Sequence, residues 1–149
     1  MLYRNLFLTA IVFLVTAVSG VAQDWQTNYA KALETAKSQN KRVLLDFTGS
    51  DWCGPCIELR KTVFSRPEFQ SFASKNLILV EIDYPQRKKQ SAELKQQNEK
   101  LGKQYGIDEK GFPTVILLDP AGKVLREMTG YGGENTAGVI AWIEGKTKP

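Results

Sequence analysis

The apolar positions of this chain follow two periods, and the switches between them divide it into elements. Trp25, Tyr29, Ala32, Leu33 and Ala36 recur at helical spacing and predict a helix from Asp24, which can cap it, to about Gln39. Val43-Leu44-Leu45-Asp46-Phe47 is a short, nearly unbroken apolar run, as a strand buried on both faces requires. Gly49-Ser50-Asp51 turns the chain, and a helix beginning near Cys53 carries Ile57, Leu59, Arg60 and Val63 to about Phe64. Ser65-Arg66-Pro67-Glu68 has the form of a capping box with Pro in the first turn, and predicts a short helix through Phe69 and Phe72.

Leu77 to Asp83 is a second apolar run and a second strand. Tyr84 to Gln90 is polar and basic, hence a loop. Ala92 to Tyr105 reads as a mostly solvated helix with Leu94 and Leu101 facing inward and Gly106 stopping it. Thr114 to Leu118 is a third strand, Asp119-Pro120-Ala121-Gly122 a turn, and Val124 to Met128 its hairpin partner. Gly130-Tyr131-Gly132-Gly133 breaks the chain before a last helix with Val139, Ile140, Trp142 and Ile143 on its apolar face. The order predicts an α/β fold: a central mixed sheet of about four strands flanked by helices, ending in a β-hairpin and a helix.

One apolar run fits none of this. Arg4 followed by Leu6 to Val18, with Gly20-Val21-Ala22 behind, reads as an export signal over residues 1–22 cleaved before Gln23. The rival reading is an uncleaved anchor, but the run is shorter than the ~20 residues that span a bilayer. Residues 23–149 are then one domain of 127 residues with 19 basic and 16 acidic side chains. Apart from Arg87-Lys88-Lys89 the charges alternate along the chain, with no interleaving of aromatic and basic residues that would argue for nucleic acid. The chain has no histidine, which excludes Ser-His-Asp and Cys-His catalysis and histidine-bound metals. Two cysteines allow neither a disulfide-stapled scaffold nor a four-cysteine zinc site. No metal and no cofactor is expected.

Those two cysteines stand as Cys53-Gly54-Pro55-Cys56 at a predicted helix start. Unpaired N–H groups and the positive end of the helix stabilise a thiolate there, so Cys53 can act as a nucleophile near neutral pH. One turn brings Cys56 within reach to resolve a mixed disulfide. Pro55 fits the first turn without losing a hydrogen bond, and Gly54 permits close approach. Three readings compete: a structural bridge, although closing so short a loop constrains the unfolded chain by only about 2 kcal/mol; half of a metal site, for which no histidine or further cysteine exists; and two unrelated buried thiols, which a helix start between Trp52 and Pro55 argues against.

Trp52-Cys53-Gly54-Pro55-Cys56 after a strand ending in Asp46-Phe47, together with Gly111-Phe112-Pro113-Thr114 leading into a strand and Gly130 after the hairpin, resembles the thioredoxin family. The resemblance runs from about Arg42 to Gly145. Phe47 to Cys56 and Thr62 to Phe69 are also similar to exported bacterial thioredoxin-like proteins and to the C-terminal domain of the transmembrane thiol–disulfide interchange protein. The sequence departs from cytosolic thioredoxin in several places. Thr48-Gly49-Ser50-Asp51 is one residue longer than the usual link, and Leu79 stands where a lysine often accompanies the buried aspartate. Tyr84 to Lys110 is longer, and an N-terminal helix replaces the leading strand.

The resemblance implies a thioredoxin-like fold and a thiol–disulfide oxidoreductase, most simply a protein-disulfide reductase, in the periplasm or secreted. Cys53 is then the nucleophile, Cys56 the resolving thiol and Asp46 its proton acceptor, although a strand-end aspartate can equally cap a loop. Trp52, Gly54, Pro55, Phe112 and Pro113 would face substrate. The Phe112–Pro113 bond would be cis, which spacing alone does not decide, since a trans proline can open a strand. Tyr131 could line the same surface or be a plain loop aromatic. The implied partners are protein disulfides and a membrane thiol electron donor, with no lasting membrane insertion and a monomeric chain. A binding module on the same fold, with vestigial cysteines, is the alternative from another class. An isomerase or oxidant is the alternative direction of the same chemistry.

Overall fold

A computed structural model describes residues 24–147, so the expected export signal lies outside the described residues. Eleven elements follow one another: α1 (Tyr29–Gln39), β1 (Arg42–Thr48), α2 (Gly54–Leu59) continued by a π turn (Arg60–Phe64), α3 (Pro67–Asn76), β2 (Leu77–Asp83), α4 (Ala92–Tyr105), α5 (Ile107–Lys110), β3 (Thr114–Leu118), β4 (Val124–Thr129) and α6 (Thr136–Glu144). The strands form one sheet in the order β2-β1-β3-β4. β1 runs parallel to β2 and antiparallel to β3, and β4 returns antiparallel on β3. This is the expected thioredoxin-like α/β architecture, with its mixed four-stranded sheet, closing hairpin and final helix.

β1 and β3 are apolar nearly throughout because helices cover both faces of the sheet. Alternation along β1 sends Val43, Leu45 and Phe47 to one face, with Ala32 and Ala36 of α1, Ile82 of β2 and Leu101 of α4. It sends Leu44 to the other, with Leu59, Phe64, Phe69 and Trp142 from the helices that cover that side. Asp46 therefore shares the face of Leu44, under α2, at a position where the period calls for an apolar residue. β1 pairs Asp46 with Glu81 and Thr48 with Asp83 on β2.

Three local expectations are corrected. α1 starts at Tyr29, not near Asp24, because Asn28 caps it by accepting from the Lys31 amide at 2.9 Å. The leading strand is not wholly replaced by that helix. Gln26 donates to Leu79 O and accepts from the Glu81 amide, both at 2.9 Å, and so forms a one-residue edge on β2. Ser65 does not cap α3: the Ser65 amide is already bonded to Arg60 O at 2.8 Å in the π turn, and Arg66 occupies the cap position without a side-chain bond. α5 was not expected from the sequence; it sits between Gly106 and Gly111, both with positive φ.

Candidate active site

β1 delivers the chain to a tight loop in which Gly49 O accepts from the amides of Trp52 at 3.2 Å and Cys53 at 2.9 Å. Cys53 is the N-cap of α2 and keeps an extended backbone. Its sulfur accepts from the Cys56 amide at 3.3 Å, so the sulfur is held by an N–H of the helix's first turn. Cys53 and Cys56 form a disulfide with Cα atoms 5.3 Å apart. Both are nearly buried, at 5% and 3% exposure. Pro55 lies in the first turn and, like Gly54, is exposed. A Cβ on Gly54 would meet nothing within 4 Å, so this glycine relieves no internal crowding.

An aromatic rim stands beside the disulfide. Trp52 meets Phe112 edge-on, with ring centroids 5.6 Å apart, and Phe112 meets Tyr84 at 5.2 Å. The Phe112–Pro113 bond is cis and Pro113 is buried at the start of β3. Trp52 and Ile57 remain exposed, at 37% and 44%, on either side of the cysteines. The Trp52 indole N–H donates to Tyr84 O at 2.7 Å. Gly49 is required by this arrangement, since a Cβ there would lie 2.4 Å from the Trp52 ring.

The extra residue in the loop after β1 serves to join it to the loop after β2. Ser50 donates its amide and its hydroxyl to the Asp83 carboxylate at 2.9 and 2.6 Å. Asp51 accepts from the amides of Gln86, Arg87 and Lys88 at 2.8–2.9 Å. Those bonds hold the Asp51 carboxyl below its ordinary range. Tyr84 in turn donates to Asn98 O at 2.5 Å and lies over Gly102 of α4. Burial pushes its phenol up to about 12.

Asp46 is 2% exposed. Arg60, from the start of the π turn, donates through one nitrogen to Asp46 Oδ2 at 3.2 Å and, more closely, to Glu81. Its guanidinium stacks 4.1 Å over the Trp25 ring, which itself packs on Phe64. Asp46 Oδ1 is buried and has no hydrogen-bond partner. Burial raises the Asp46 carboxyl from 3.8 to about 7; Arg60 opposes the rise, and Glu81 and Asp83 add to it. A cavity of about 330 Å³ lies against Arg60, the partner of Asp46, and is lined by Thr48, Ser50, Cys56, Ile57, Arg60, Lys61 and Ser65.

The structure thus brings Cys53, Cys56, Trp52, Gly54, Pro55 and Phe112 to one surface, with Pro113 buried next to Phe112 and Asp46 beneath α2. Tyr131 is elsewhere: its hydroxyl meets Thr62 Oγ1 at 2.8 Å and donates to Glu134 O. Sequence reasoning missed Arg60, Glu81 and Trp25 around Asp46, and Asp51 and Tyr84 around Trp52. The Asp46–Glu81 register was the available signal for the first group, because equal spacing from the strand ends sets the two acids side by side and calls for a cation.

Residues 24–120 match the family described as thioredoxin-like. The disulfide bond reductase DsbH of Chlamydia pneumoniae is 41% identical over 104 residues, which are 70% of this chain and 61% of that protein. The thioredoxin-related protein DsbJ of the same organism is 33% identical over 74% of this chain and 31% of its own length. The chain thus spans at most about three fifths of these curated relatives. Among solved structures, a DsbH oxidoreductase superposes with a TM-score of 0.78 at 33% identity, covering 92% of each chain. The oxidised C-terminal domain of DsbD from Neisseria meningitidis gives a TM-score of 0.57 at 24% identity over 85% of this chain and 100% of that domain, a likeness of fold.

Proposed function

The chain belongs to the thioredoxin-like family, and from that premise we propose that it is a protein-disulfide reductase working outside the cytosol. The observation that carries this reading is the Cys53–Cys56 disulfide at the first turn of α2, nearly buried yet flanked by the exposed Trp52 and Ile57. In the reduced protein the Cys53 thiolate attacks one sulfur of a substrate disulfide and expels the other as a thiolate. Cys56 then attacks Cys53, reforms the intramolecular disulfide and releases the second substrate thiol. Two electrons pass from the protein dithiol to the substrate in each cycle.

Asp46 is the proton acceptor for Cys56. Its carboxyl titrates near the working pH, as a general base requires, because burial under α2 disfavours its charge. Trp52, Gly54, Pro55, Phe112 and Pro113 make the surface on which an extended substrate segment rests. Residues 1–22 serve as the export signal, residues 23–149 form the working domain, and the location is periplasmic or secreted. The reducing direction is supported by Gly54-Pro55 between the cysteines and by the name of the Chlamydia relative. An exported reductase has to be recharged, so a membrane thiol donor completes the cycle.

Insulin reduction with dithiothreitol as donor tests this. The described domain should accelerate insulin precipitation. Cys53→Ser should abolish the acceleration, and Cys56→Ser should trap mixed disulfides. Full activity in Cys53→Ser would overturn the proposal.

A further inference from the structure

The β2 neighbour of Asp46 is not Leu79, which lies opposite Leu44, but a second acid, Glu81, and the structure supplies a cation from another element. Arg60 comes from the helical side, at the residue where α2 passes into the π turn. Its head group is fixed from several directions. Asp46 and Glu81 take the same guanidinium nitrogen. Trp25 forms a floor 4.1 Å away, and the Phe64 ring lies 5.8 Å from the guanidinium carbon.

The sharing matters chemically. A guanidinium free to face one carboxylate can bond both of its oxygens in parallel, which favours the ionised form. Here Glu81 holds the same nitrogen, and Asp46 receives a single contact through Oδ2. Oδ1 is left buried and without a partner. A carboxylate oxygen left so deeply buried and without a partner costs more charged than neutral, so the setting favours a proton on this group. Arg60 and Cys56 border the same cavity. The outer end of the cluster reaches solvent, because the Arg60 and Glu81 side chains are 29% and 26% exposed.

We propose that Arg60 is a positioning residue for the redox cycle: with Glu81 as counterweight, it clamps Asp46 Oδ2 and reserves Oδ1 as the oxygen that takes the Cys56 proton. This rests on the reading of Asp46 as proton acceptor. In the step concerned, the Cys56 S–H proton passes to the Asp46 carboxylate as the Cys56 sulfur attacks Cys53. The Cys53–Cys56 bond forms and the bond from Cys53 to substrate breaks. The substrate sulfur leaves as a thiolate that is protonated from water, and Asp46 returns its proton to solvent before the next cycle. The charged groups acting on Asp46 are Arg60 from the helical side, and Glu81 and Asp83 from β2. From β3 its register partner is the apolar Val115. Arg60 favours the carboxylate and the two acids oppose it, so changes at Arg60 and at Glu81 have opposite signs.

The test follows resolution of a Cys53 mixed disulfide with a fluorogenic peptide by stopped flow between pH 5 and 9. Wild type should show an acidic limb that Asp46→Asn removes. Arg60→Gln should move that limb to higher pH, and a displacement of about one pH unit lowers the rate at pH 7 about fivefold. Glu81→Gln should move it to lower pH, and Arg60→Lys should return it toward wild type. A purely structural Arg60 would change amplitude and thermal stability and leave the limb in place. If Arg60→Gln fails to fold, Glu81→Gln and Arg60→Lys carry the test, with the Asp46 carboxyl titrated by carbon NMR in the oxidised protein. A limb that vanishes in Asp46→Asn but stays fixed in the Arg60 and Glu81 variants would overturn the role of Arg60 and keep that of Asp46. A limb that persists in Asp46→Asn would overturn the acceptor reading itself.

Discussion

Replacing Asp46 by Asn should stabilise the oxidised protein, and by an amount that depends on pH in a calculable way. The carboxyl titrates at 3.8 in an ordinary setting and at about 7 in the fold, because burial disfavours its charge. Protonated Asp46 is tolerated, so its full contribution is present below pH 3.8. As pH rises the unfolded chain releases the proton first, and the folded state is penalised by about 1.4 kcal/mol per pH unit until its own carboxyl ionises. Between pH 3.8 and about 7 the loss sums to about 4 kcal/mol. Asn carries no proton to release. It also leaves Arg60 paired with Glu81, so no buried cation is orphaned. Any misfit of the amide beside Arg60 is an offset that pH does not change. Urea unfolding of both proteins across pH 4 to 8 should therefore give a stability difference that climbs in favour of Asn by about 4 kcal/mol and then levels off. At pH 8 this corresponds to a rise in Tm of more than about 10 °C relative to the acid baseline. A difference that stays flat with pH would refute the account, because it would mean that Asp46 ionises as readily in the fold as in the unfolded chain.

Gly49→Ala sets a methyl 2.4 Å from the Trp52 ring; it should cost about 1–3 kcal/mol by urea unfolding and shift tryptophan emission to the red as the indole leaves its bond to Tyr84 O. Gly102→Ala brings a Cβ to 2.6 Å from the Tyr84 hydroxyl; it should destabilise by a similar ~1–3 kcal/mol and displace Tyr84 from Phe112, visible as altered ring shifts in NMR. Asp51→Ala should speed hydrogen exchange at the Gln86, Arg87 and Lys88 amides by about tenfold or more, and unchanged exchange would refute the tie. Because the same bonds lower the Asp51 carboxyl, wild-type protection at these amides should persist below the pH at which an ordinary aspartate titrates and be lost as the pH falls through its own lowered value.

What the sequence made legible was local or strongly periodic. β1, β2 and β3 stood out because burial on both faces forces nearly continuous apolar runs. The cysteine pair and the Pro113 loop stood out because their residues are neighbours in the chain. What stayed hidden depended on pairing at a distance. Arg60 reaches Asp46 across 14 residues and Glu81 across 21, through a π turn that no spacing rule announces. The donors to Asp51 are main-chain amides 35 to 37 residues away, and amides carry no side-chain signature. Trp25 was misread because its spacing to Tyr29 matches one helical turn, whereas Gln26 between them is pinned to β2 and sends the tryptophan over to Arg60 and Phe64.

The grip of Asp51 on the loop after β2 has a consequence for how this protein can change over generations. Every residue except proline brings the same N–H to positions 86, 87 and 88, so the bonds at 2.8–2.9 Å are indifferent to which side chains those positions carry. Gln86 and Arg87 are exposed, and their side chains can change in charge and size while the main chain keeps its course, whereas Lys88 also donates through Nζ to Ser50 Oγ at 3.3 Å. Asp51 has no such freedom, since only its carboxylate satisfies all those amides at once. The rim of the site therefore separates into one side chain that the geometry fixes and a short stretch whose main chain stays held when its side chains change.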